Sequence, residues 1–86
     1  MERQYNFTDE RTLFNIIGKN VKYYRRLYSL NHYEMTQEHL AELANVSTSL
    51  IGNLESKKTS QGISLHNLYK ISIILDTPID NFFIEH

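Results

Sequence analysis

The chain has 86 residues, 41% hydrophobic and 22% charged, with no cysteine and a net charge of −1. That size and apolar content fit one small globular domain with a modest core, not a disordered segment, and the missing cysteines exclude a disulfide framework and a thiolate metal site. Charged residues run through the amino-terminal stretch and no apolar run approaches a membrane span, so neither a secretory leader nor a membrane anchor is expected, and a soluble cytoplasmic protein is.

Residues 1–8 lack periodicity and are expected to form a loose arm, with residues 1–86 making a single domain. Thr8 is placed to cap a helix, with Asp9 and Glu10 in its first turn. Leu13, Phe14, Ile17, Val21, Tyr24, Leu27 and Tyr28 then recur at helical spacing, which predicts a helix from Asp9 to Ser29. Gly18 inside it costs about 1 kcal/mol relative to alanine, and is tolerable where another helix packs close. Lys19, Lys22, Arg25 and Arg26 fall in the same segment.

Residues 37–55, QEHLAELANVSTSLIGNLE, read as two short helices joined by a tight turn. Thr36 starts the first, which carries Leu40, Ala41, Leu43 and Ala44. Ser47 starts the second, with Leu50, Ile51 and Leu54. Between them Asn45 tolerates the left-handed conformation that ends a helix sharply, and Val46 is the apolar residue that tucks under the corner. Two helices joined in this way cross steeply, and small Ala41 lets the second pass close over the first.

Ser56 to Ile63 is a polar loop bearing Lys57 and Lys58. Ser64 caps a helix with Leu65, Leu68, Ile71, Ile74 and Leu75. Thr77-Pro78, with Asp80 following, is the start signal of a last short helix carrying Ile79, Phe82 and Phe83. No segment alternates with period two, so the chain reads as all-α.

The residues Thr36-Gln37, Leu40-Ala41, Val46-Ser47, Ile51 and Leu54-Glu55 resemble, at matching spacing, the phage repressor/Cro-like (XRE-type) helix-turn-helix family. The resemblance extends upstream through Ile17 to Lys22 and Arg25, and downstream through Ser64 to Leu75 and Asp76 to Phe83. It implies a compact five-helix repressor-like domain with its helix-turn-helix at 37–55. The stretch from Arg25 to Thr36 exceeds the family's usual spacing by about four residues, roughly one helical turn. That surplus, around Asn31, His32, Tyr33 and Glu34, either lengthens the first helix or enlarges the loop, and the sequence does not choose.

A non-catalytic transcriptional regulator, a repressor, is what this resemblance implies, with double-stranded DNA as partner. The helix starting near Ser47 would enter the major groove. Ser47, Thr48, Ser49, Gly52 and Asn53 would meet bases there, with Asn53 able to pair bidentately with adenine. Gln37, at a helix amino end, would contact a phosphate, as would Arg25, Lys57 and Lys58; for the lysine loop a freely solvated turn is the other reading. Arg25 and Glu55 would form an ion pair fixing the first helix against the third, with Arg26 the competing partner and, if exposed, a contribution of only about 0–1 kcal/mol. A glycine common in the family near Lys57 is missing.

A dimer reading a pseudo-palindrome follows from the limited reach of one recognition helix. Phe82, Phe83 and Ile84 supply a possible apolar contact; the alternative is that Phe82 closes the core. No metal, cofactor or small-molecule substrate is expected, since His32, His39, His66 and His86 lack ligand spacing and the glycines make no phosphate loop. The rival reading is a repressor-like fold used as a protein-interaction or antitoxin-type module. Its support is the near-neutral charge and the short side chains on the recognition face.

Overall fold

A computed structural model describes residues 4–5, 7–58 and 60–85. Its elements are α1 (Glu10–Asn31), α2 (Gln37–Ala44), α3 (Thr48–Glu55), α4 (Leu65–Ile74) and a terminal 3-10 helix (Ile79–Phe83). The chain is all-helical, but the fifth expected helix is this 3-10 turn. Pro78 occupies its cap position without a side-chain cap bond, and the Thr77 hydroxyl instead donates to the Leu75 carbonyl. The loose-arm expectation for residues 1–8 falls partly on residues 1–3 and 6, which lie outside the described residues, as do Thr59 and His86.

Each α-helix begins where an oxygen-bearing side chain takes an otherwise unpaired backbone N–H. Thr36 accepts from His39, Ser47 from Leu50 and Ser64 from Asn67. For α1 the cap is Asp9, which accepts from the Thr12 N–H at 2.9 Å, and not Thr8. That bond holds the Asp9 carboxyl below its ordinary pKa. The turn between α2 and α3 is fixed by Asn45 at φ 56, ψ 46. There Val46 N–H reaches the Ala41 carbonyl and Asn45 N–H that of Glu42, the paired bonds of a Schellman ending. Asp76, at φ 51, closes α4 in the same way, with Thr77 N–H on the Ser72 carbonyl.

The helices bury one contiguous core of Ile17, Val21, Met35, Leu40, Ala41, Ala44, Ile51, Leu54, Leu68, Ile71, Leu75 and Phe82. Phe82 is fully buried, against Tyr24 with ring centroids 5.3 Å apart. Below it the buried Asn20 amide donates to the carbonyls of Phe82 at 2.8 Å and Ile84 at 2.9 Å. The chain end is thereby tied to α1. Leu27 and Leu43, counted as apolar-face residues from periodicity, are exposed, and Leu65, Tyr69 and Ile73 line the solvent side of α4.

The surplus between Arg25 and Thr36 is divided. The helix runs on to Asn31, and residues 32–36 form the connection. Met35 in that connection is fully buried. Its N–H donates to the Ser29 hydroxyl at 2.8 Å and its carbonyl accepts from Arg25 Nη1 at 3.0 Å. Outside it, His32 stacks on Tyr28 at 4.2 Å and Tyr33 packs edge-on to Tyr28 at 5.4 Å. A hydrogen bond with Tyr33 raises the Tyr28 hydroxyl above its ordinary pKa.

Candidate nucleic-acid interface

The site is built around α3. Eight residues form too short a helix to persist alone in water, so its place comes from its neighbours. Ile51, Leu54 and Glu55 are buried; Thr48, Ser49 and Asn53 are exposed, and Leu50 is half-buried. Ser47 is the cap and not a helical residue. At the crossing with α1, a Cβ on Gly18 would lie 1.8 Å from the Leu54 carbonyl oxygen. Only a residue without a Cβ permits this approach.

The second fixation is electrostatic. Arg25 Nε donates to Glu55 Oε2 and Nη2 to Oε1, both at 2.8 Å. The two side chains are 12% and 2% exposed, so this is a buried fork and not an exposed pair. Hydrogen bonding to Glu55 raises the Arg25 pKa above its ordinary value, and the guanidinium stays charged throughout the working range. Arg26 stands outside the fork, exposed.

Gln37 joins this network: its amide Nε2 donates to Glu55 Oε1 at 3.0 Å. It is neither the helix cap, which is Thr36, nor a free solvent-facing side chain. A Cβ on Gly52 would meet the Gln37 amide oxygen at an ordinary 3.5 Å. The glycine at 52 therefore leaves that side of α3 low without being forced by an internal clash. Arg25, Gln37 and Glu55 thus lock α1, α2 and α3 in one cluster that spacing alone did not reveal for Gln37.

Lys57 and Lys58 follow α3 in a turn closed by Ser56, whose hydroxyl accepts from the Lys58 N–H at 3.2 Å. Among the described residues only Asn45 and Asp76 have positive φ; the turn therefore forms without the family's glycine. Across from it stands the α1 stripe of Lys19, Lys22 and Arg26. These five cations line an open groove of about 720 Å3. A separate hollow at the amino ends of α2 and α3 holds Arg25, Arg26, Gln37 and Thr48, but also Glu34 and Glu38. The stronger positive face is accordingly the one toward Lys57 and Lys58.

Phe82, considered as a dimer contact, is buried and unavailable for one; Phe83 and Ile84 are 42% and 48% exposed. Among the described residues there is no cluster of histidines and acids able to hold a metal, and no helix is long and apolar enough to cross a membrane.

The helix-turn-helix family model matches residues 29–82, more than half of the chain. A search of curated proteins returns no match. The chain belongs to the XRE-type helix-turn-helix family, a family of DNA-binding transcription regulators.

Proposed function

We propose, with that family membership as premise, that this protein is a sequence-specific double-stranded DNA-binding repressor, acting in the cytoplasm and without catalysis. One observation carries the reading. The exposed side of α3 holds Thr48, Ser49 and Asn53, while its opposite side is fixed to α1 at Gly18 and through the Arg25–Glu55 fork. A rigid support behind short polar side chains is what base readout requires. Asn53 reads an adenine edge, Thr48 offers a methyl or a hydroxyl, and Ser47, Ser49 and Gly52 let the backbone come close.

Phosphate contacts frame this face. Lys57 and Lys58 supply them on one flank. Gln37 and Arg25 supply them on the other, through the N–H groups not engaged by Glu55 and Met35. The protein pairs as a homodimer on a pseudo-palindrome with half-sites about 10 base pairs apart, with Phe83 and Ile84 in the contact.

Titration of duplex fragments at several salt concentrations tests the reading. If Z phosphates are neutralised, log affinity falls against log salt with a slope of about −0.9Z. No binding at low salt, or binding indifferent to salt, would overturn it.

A further inference from the structure

Lys19, Lys22, Tyr23, Arg26, Leu27 and Leu30 succeed one another at helical spacing along one face of α1, and together they form one wall of the groove whose other wall is Ser56, Lys57 and Lys58. Leu30 is 83% exposed, Tyr23 55% and Leu27 39%. Phosphates account for the cations of this groove. They do not account for the apolar row, since a phosphate offers it no apolar surface to bury. Among the described residues the only acid lining the groove is Glu55, and its charge is already met by Arg25. An apolar row bordered along one side by cations, with Lys57 and Lys58 beyond them, complements a helix with an apolar stripe beside a row of carboxylates.

We propose that this groove docks an acidic amphipathic helix of a partner protein. The wall from Lys19 to Leu30 is about 17 Å long, room for about three turns of such a helix. Apolar residues at i, i+3 or i+4, and i+7 of the partner would sit on Tyr23, Leu27 and Leu30. Its carboxylates would face Lys19, Lys22 and Arg26 and, beyond them, Lys57 and Lys58. A second copy of this chain is a poorer occupant. Its acid-bearing helix with Glu38 and Glu42 is α2, only eight residues long, too short to fill a wall of about three turns. Because the groove includes Lys57 and Lys58, the partner would compete with DNA. The inference itself stands on the groove and does not depend on DNA binding.

The test is a labelled synthetic peptide of about 14 residues, with leucines at i, i+3, i+4 and i+7 and glutamates elsewhere, titrated with the full chain. A scrambled peptide of the same composition serves as control. The patterned peptide is expected to bind saturably and at least tenfold tighter than the scramble. Leu27→Ser with Leu30→Ser, and separately Lys22→Gln with Arg26→Gln, should each weaken it at least tenfold. Melting curves matching the unsubstituted protein establish that these exposed substitutions keep the fold. The leucine variant should leave duplex affinity unchanged. Absence of saturable peptide binding, equal affinity for both peptides, or indifference to the leucine substitutions overturns the proposal. So does a leucine variant that loses duplex affinity as steeply as peptide affinity, which would assign the floor to DNA. So would phosphatidylglycerol vesicles captured with this residue dependence while the peptide is not, or self-association abolished by Leu30→Ser.

Discussion

Along one side of α3, Ile51, Leu54 and Glu55 are buried against α1 and α2, whereas along the other Thr48, Ser49 and Asn53 stand in solvent. The buried side has almost no latitude: a missing Cβ at Gly18 and a bidentate ion pair define its distance and its rotation. The exposed side carries no core packing, so its side chains can be chosen for what they meet. One helix thus separates stability from recognition by face, and substitutions on the two faces should fail in different assays.

The sharpest break is expected at Glu55. Removing one member of a buried pair leaves the other charge uncompensated, at a cost of about 3–5 kcal/mol. Glu55→Ala should therefore lower the melting temperature by more than about 12 °C, and a shift of only a few degrees would place the fork with ordinary surface pairs. Gly18→Ala comes next. The new methyl meets backbone, not a movable side chain, so the loss should reach about 3 kcal/mol, the upper end of ordinary overpacking. Urea denaturation measures it, and a neutral result would mean that α1 and α3 can separate at no cost.

Asn53→Ala should do the reverse. Duplex affinity at a preferred site should fall by about 1–3 kcal/mol, with preference relaxed at one base pair, while the melting temperature falls far less than it does for Glu55→Ala. Equal loss on every sequence would make Asn53 a positioning residue, which is the behaviour expected of Lys57→Ala.

The smallest effect belongs to Asp9, far from either face of α3. Its folded pKa lies below its ordinary 3.8 because of the Thr12 N–H bond. It therefore contributes stability that is present above that value and is lost as pH falls through the folded pKa. Being fully exposed, it should affect only the first turn of α1. Amide exchange at Thr12 should accelerate on acidification, and Asp9→Ala should remove that dependence.

Much of this division could be read from the chain. The spacing of Leu40, Ala41, Val46, Ile51 and Leu54, with Thr36, Asn45 and Ser47 as stop and start signals, placed the helix-turn-helix, because those signals act within one or two turns. The same locality explains the misses. Leu27 and Leu43 fit the helical period, yet none of the described elements covers them. Met35 sat in a stretch without periodicity, yet its backbone is clamped by Ser29 and Arg25 and its side chain enters the core. The Asn20 amide is buried because carbonyls more than 60 residues away need donors.

What the sequence determined by itself was the all-helical class, the turn between α2 and α3, the family and the outward set on α3, since each depends on local propensity, capping and period. What only the tertiary structure decided was which charges meet. Arg25 with Glu55, Gln37 drawn to the same carboxylate, Phe82 inward with Phe83 and Ile84 outward, and the five-cation groove between α1 and Lys57-Lys58 all join residues distant in the chain. Their pairing follows from how the helices cross, and no short-range pattern carries that information.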